Sequence, residues 1–263
     1  MFPGFTVFDT FISSYAVAAA AGVFSAGITA MVRYKKITGN NYPMLIVMLF
    51  STIGILLGGS ILYGITKIEY WHYIFEANDL WTAIRVIGLI FGGLVFYGGL
   101  LGGMLAAGIV IKINKYPGEL ITDVAAPSAA LFHAFGRIGC FLGGCCYGIE
   151  SDFGFVFTHS LNTSANGVRR LPVQLFESGF EFVMFFLLSY LLKKGRLKGR
   201  LFSLYLVLYG IFRFIIEFFR GDSYRGFIMG LSTSQFISIF VVIGAAVYLA
   251  VRTMKDKHEP DNA

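Results

Sequence analysis

Charge is scarce in this chain. Only 14% of its 263 residues are charged, against about 25% in a soluble domain. That shortage excludes an ordinary water-soluble fold. Acidic residues are the scarcer sign, 15 against 21 basic, so the net charge is +6. A positive excess can mark a nucleic-acid binder, but here the positives sit beside apolar runs, where they set membrane orientation instead. No nucleic-acid partner is expected. Cysteine is rare and odd in number, three residues, which excludes a disulfide framework. The N-terminus lacks a positive n-region and a small-residue cleavage site, so no cleaved signal peptide is expected. What remains is apolar: 56% hydrophobic residues and a mean hydropathy of +0.72. The composition reads as an all-α, polytopic integral membrane protein.

The apolar runs predict seven transmembrane helices in one membrane domain spanning 1–263, at about 15–31, 44–63, 86–111, 120–141, 173–192, 201–219 and 234–251. The third exceeds the roughly 20 residues needed to cross, and Gly92-Gly93 or Gly98-Gly99 are expected to kink or break it. Residues 64–82 carry Trp71 and Trp81 among charges and read as interfacial. Residues 149–170 read as a polar loop or short hairpin, and 252–263 as a charged, disordered cytoplasmic tail. With the N-terminus outside and the C-terminus inside, thirteen positives face the cytoplasm and six face outward, and Arg137 and Arg213 fall within spans. The positive-inside rule favours that orientation.

Those two arginines point to function. An arginine at mid-bilayer costs at least about 2.5 kcal/mol on insertion scales, so an anion or an acidic partner must offset it. Arg137 lies in Ala134-Phe-Gly-Arg-Ile-Gly-Cys-Phe-Leu-Gly-Gly-Cys-Cys-Tyr-Gly148, a run with five glycines and all three cysteines. His133, Arg137 and Cys140 share one helix face by i, i+4, i+7 spacing. In the sixth span Tyr209, Arg213, Glu217 and Arg220 recur at i, i+4, i+8, i+11, a polar stripe that should face a cavity or the bundle interior. A bland reading pairs Arg213 with Glu217 as packing alone, and Arg220 with Asp222 as an interfacial anchor. Pro172 opens the fifth span, placing Gln174 and Glu177 on adjacent turns; Glu177 can counter an arginine or accept a proton. Asp123 reads as a helix cap or anchor. Gly98-xxx-Gly102 and Gly99-xxx-Gly103 read as close helix packing.

The residues resemble the prolipoprotein diacylglyceryl transferase family, bacterial enzymes that lipidate the lipobox cysteine. The resemblance rests on Ser14-Tyr15, on the glycine-rich run Gly92 to Gly103, and on Asp123 to Pro127 followed by Gly136-Arg-Ile-Gly139. It rests also on Pro172-Val-Gln-Leu-Phe-Glu177 and on Tyr209-Gly-Ile-Phe-Arg-Phe-Ile-Ile-Glu-Phe-Phe-Arg220. It implies a multi-pass protein of the bacterial cytoplasmic membrane, N-terminus outside. It also implies transfer of a diacylglyceryl group from phosphatidylglycerol to a prolipoprotein thiol, releasing glycerol phosphate. No cofactor and no metal are implied. Arg137 and Arg213 suit a phosphate, which guanidinium binds bidentately. The catalytic set expected is Arg137, Arg213, Glu217, Tyr209, Cys140, Cys145, His133 and Tyr97, with Tyr15, Gly98, Gly99, Gly136, Gln174, Glu177 and Arg220 binding substrate.

The chain also departs from the pattern. Tyr97 stands at the histidine of the family's His-Gly-Gly. Cys140, Gly143 and Cys145 stand where its signature has two asparagines and a glutamate. The cysteines are open to several readings: a nucleophile activated by Arg137, inert small hydrophobes, a Cys140–Cys145 disulfide, or zinc ligands with His133. Alternatives to the family reaction are a same-fold transferase with another acceptor, such as a glycan or small thiol, and a non-catalytic lipid-binding protein or transporter. No internal repeat of the kind that marks transporters is visible.

Overall fold

A computed structural model of the chain describes residues 1–160, 162–222, 227–228 and 230–258. Nine α-helices run through these residues: α1 Ser14–Thr38, α2 Tyr42–Thr66, α3 His72–Phe75, α4 Leu80–Phe91, α5 Phe96–Ile113, α6 Gly118–Gly143, α7 Val173–Lys193, α8 Leu201–Ile216 and α9 Thr233–His258. The described fold is helical but not purely so. Three short antiparallel hairpins accompany the helices: β1 Gly4–Val7 with β2 Thr10–Ser13 ahead of α1, β3 Glu150–Val156 with β4 Arg169–Arg170 between α6 and α7, and β5 Phe227–Ile228 with β6 Leu231–Ser232 between α8 and α9. The second is the hairpin expected in 149–170.

Among the described residues, five helices are long and apolar enough to cross a membrane: α1, α2, α7, the segment Leu201–Phe219, and Thr233–Lys255 of α9. Their outward side chains are large and apolar, such as Phe24, Leu57 and Phe186, each more than half exposed. A water-soluble surface does not carry such contiguous apolar faces. Two expected spans look different. The third is broken at Gly92–Val95 into α4 and α5, as its first glycine pair suggested; Gly98 and Gly99 lie inside α5. The fourth is the 26-residue α6, long enough to span at 1.5 Å per residue but carrying Glu119, Asp123 and Arg137.

The chain divides into two compact units. One is Met31–Gly118. Within it α2 and α5 meet at their glycines. A Cβ on Gly98 would lie 2.3 Å from the Gly58 carbonyl oxygen, and one on Gly102 would lie 2.2 Å from that of Gly54. Only hydrogen allows this approach, which maximises van der Waals contact where lipid removes the hydrophobic incentive. Gly99 of α5 packs on Ile55 of α2.

The other unit joins Met1–Ala30 to the described residues from Glu119 onward. Its core, between α6, α7 and α8, holds Ala126, Ala130, Met184, Leu188, Leu201 and Tyr205. The Phe180 and Phe212 rings stack at 4.0 Å between α7 and α8. Asp123 fulfils the role expected of it. Its Oδ2 accepts the Gly199 N–H at 2.5 Å and its Oδ1 the Leu201 N–H at 2.9 Å. A carboxylate from α6 thus satisfies orphan donors at the start of α8 and ties the two helices together below the site.

Candidate functional site

The site is built from α6, α7 and α8 of this second unit. On α6, His133 and Arg137 are one turn apart. On α7, Glu177 and Glu181 are also one turn apart and face them in register. Arg137 Nε lies 2.8 Å from Glu177 Oε2, and His133 Nδ1 lies 2.7 Å from Glu181 Oε1. From α8, Arg213 Nη1 donates to Glu177 Oε1 at 2.6 Å, and its Nη2 meets Glu217 Oε2 at 2.7 Å. The same Nη2 donates to Ser234 Oγ at 3.0 Å. One fully buried carboxylate therefore bridges two guanidinium groups, with a second carboxylate behind. The Arg213–Glu217 pair is real, yet it is one link in a longer chain of charges.

His133 uses both ring nitrogens. Nδ1 points at Glu181, and Nε2 accepts the Arg137 Nε–H at 3.2 Å. That assignment makes the ring neutral, with its proton toward Glu181. Glu181 also accepts the Tyr205 hydroxyl, at 3.1 Å to Oε2. The Tyr209 ring packs edge-on to His133 at 5.0 Å and against Tyr205 at 5.9 Å. With both nitrogens engaged, His133 does not belong to the cysteine cluster, so zinc ligation by three cysteines and this histidine is not the arrangement found.

Above Arg137, helix α6 ends and the three cysteines converge. Their sulfurs lie within 4.8 Å of one another, and all three are free thiols; the Cys140–Cys145 disulfide is not formed. Gly144, at φ +75°, makes the turn, and a Cβ there would strike Ser160. Cys146, at φ 57°, adopts the left-handed backbone that non-glycine residues rarely use. That second turn lets adjacent side chains point back toward Cys140. The loop is fixed by neighbours. Ser160 Oγ donates to the Gly144 carbonyl at 2.9 Å, and Gln174 Nε2 to the Cys145 carbonyl at 2.7 Å. Gly148 bridges Arg220, and the Gly221 N–H reaches the Tyr147 carbonyl at 2.9 Å. The Cys146 thiol is held well below the ordinary thiol range, first by the hydrogen bond from Cys140, then by that from Cys145, with the Arg220 and Arg137 guanidiniums adding to it.

Tyr15 of α1 borders this cluster, its ring against Gly139. Gly136 leaves open space beside Arg137. Arg220 differs from expectation. The helix tightens into a 3-10 turn at Glu217–Phe219, and Arg220 follows in extended backbone, so it leaves the stripe of Tyr209, Arg213 and Glu217. It pairs instead with Asp222, at 2.8 and 3.1 Å, as the anchor reading had it. Gly98 and Gly99 belong to the first unit, where they pack on α2. The Tyr97 side chain lies outside the described residues. Sequence reasoning missed Glu181, Tyr205 and Ser234. The signal for Glu181 was present: two carboxylates at i, i+4 on α7 match a cation and an imidazole at i, i+4 on the preceding, antiparallel span.

A family model described as prolipoprotein diacylglyceryl transferase matches residues 4–251. The chain belongs to the prolipoprotein diacylglyceryl transferase family. A phosphatidylglycerol–prolipoprotein diacylglyceryl transferase of Clostridium tetani is 36% identical over 247 residues, covering 93% of this chain and 95% of the relative. One of Clostridium perfringens, numbered 2 in its name, is 35% identical over 255 residues and 96% of each chain. One of Finegoldia magna is 28% identical over 252 residues and 95% of each. This transferase family member is a multi-pass membrane protein in which Arg137 and Arg213 share one carboxylate.

Proposed function

We propose that this chain moves the diacylglyceryl group of phosphatidylglycerol to the cysteine thiol of a prolipoprotein. It would act in a bacterial cytoplasmic membrane, with seven spans, the N-terminus outside and the C-terminus inside. The observation that carries this reading is the Arg137–Glu177–Arg213 bridge. Two guanidiniums converge on one carboxylate in a water-poor setting, which is the donor arrangement a phosphodiester requires. In this reading the headgroup phosphate takes the place of the Glu177 carboxylate between Arg137 and Arg213. Glu217 keeps Arg213 oriented through Nη2. His133, its tautomer fixed by Glu181, positions Arg137 from behind. The acceptor thiol gives up its proton to water, and its sulfur forms a bond to the terminal glyceryl carbon as that carbon's bond to the phosphate oxygen breaks. Glycerol phosphate leaves with charge that both arginines stabilise. Tyr15, Gly136 and Gln174 would line the approach of the headgroup.

Substitution tests the assignment. Arg137→Ala and Arg213→Ala should each lower turnover by about 100-fold or more, and Glu217→Gln should lower it less. Wild-type turnover in all three variants would sink the reading. Cys140 and Cys145, at positions where the family pattern has an asparagine and a glutamate, favour one second reading, the same lipid donor with a different acceptor. Glycerol phosphate release without peptide lipidation would select it.

A further inference from the structure

We propose that Cys140, Cys145 and Cys146 hold one thiophilic divalent cation of the zinc class, with a fourth position open to the acceptor thiol. The geometry carries the metal part. Three thiolates around a tetrahedral ion with bonds of about 2.3 Å stand about 3.8 Å apart. The three sulfurs here already lie within 4.8 Å of one another, so small rotamer adjustments suffice. Such convergence needs explanation, because neighbouring residues ordinarily send their side chains apart. It is achieved by left-handed backbone at Gly144 and Cys146. The loop is held there by bonds to Ser160, Gln174 and the backbone at Arg220. A preorganised shell supported by a second tier of hydrogen bonds is what a metal site requires.

Three protein ligands leave a zinc-class ion one position short, the mark of sites that bind a reacting group. Cys145 and Cys146 are only partly buried, which leaves that side approachable. A thiol that coordinates there loses its proton outright. The S–H bond breaks, a metal–sulfur bond forms and the proton passes to water. The bound sulfur then attacks the glyceryl carbon, breaking its bond to phosphate oxygen as above. This gives the thiols a part that direct attack cannot. A protein cysteine that attacked the lipid itself would end as a stable thioether, a dead end for turnover. The open-position part rests on the thiol-acceptor reading; metal binding does not.

The purified wild-type chain, in detergent and free of phospholipid, is titrated with Co2+ as an optical probe. About one equivalent should bind, with thiolate-to-cobalt charge-transfer bands that Zn2+ abolishes. The bands should be lost in Cys140→Ser, Cys145→Ser and Cys146→Ser. Wild-type protein without such bands overturns the proposal, whatever the variants do. A lipobox peptide with its cysteine should then change the spectrum, and the same peptide with serine should not. Equal spectra with the two peptides overturn the open position. A cobalt spectrum that forms while peptide lipidation fails counts against the transferase reading alone.

Discussion

Glu177 is the residue on which the site turns. It is fully buried and compensates two guanidiniums at 2.6 and 2.8 Å. Removing one partner of a buried ion pair costs about 3–5 kcal/mol, because the other charge is left uncompensated. Glu177→Gln should therefore unfold at lower temperature than wild type in detergent. It should also bind glycerol phosphate more tightly, since no internal carboxylate competes for the arginines. Calorimetric titration reads this directly, and weaker binding by the variant would show that Glu177 does not occupy the anion position. Glu181 poses a separate test. Its loss leaves His133 Nδ1 and the Tyr205 hydroxyl without their acceptor. Glu181→Ala should lower stability by about 1–3 kcal/mol for the stranded polar groups and lower turnover through a misplaced Arg137. Unchanged turnover in a folded Glu181→Ala protein would remove Glu181 and His133 from the positioning role.

At the scale of elements, register decides what meets what. Helices α6 and α7 run antiparallel, so Arg137 meets Glu177 and His133 meets Glu181. The arginines, the sixth-span stripe, the Pro172 start and the Asp123 cap were legible in the sequence, because each is a polar residue at helical spacing in an apolar run. The partners were not, because side-chain periodicity says which face is polar and not which helix it faces. The cysteine convergence was only one of several open readings, because it depends on left-handed backbone at Cys146, a residue type that gives no warning of it. The departure of Arg220 was hidden too, since nothing in Glu217-Phe-Phe-Arg220 announces the 3-10 tightening. One element-level contact is open to test. Asp123→Ala removes the acceptor of two backbone N–H groups at the start of α8 and should cost about 1–3 kcal/mol. Restoration by Asn, which keeps one acceptor oxygen, should be partial. An unfolding midpoint equal to wild type for Asp123→Ala would mean that α8 is held by packing alone.

At the scale of the molecule, charge and apolar length agree on a membrane protein but not on every span. Five segments meet the length and hydropathy of a crossing helix. The other two expected crossings are a helix pair broken at Gly92–Val95 and the polar α6. The break explains why a run of about 26 apolar residues need not be one long helix: α4 ends at Phe91 and α5 begins at Phe96. α6 departs from the apolar pattern because its Asp123, His133 and Arg137 are satisfied within its own unit, by Gly199 and Leu201, by Glu181, and by Glu177. The central claim is that Arg137 and Arg213 serve a phospholipid phosphate in diacylglyceryl transfer. The most direct measurement incubates the purified chain with labelled phosphatidylglycerol and a lipobox peptide and follows both products at once. Glycerol phosphate released in step with thioether-linked diacylglyceryl peptide is the predicted result. Neither product, from folded protein that still retains bound phosphatidylglycerol, would contradict it.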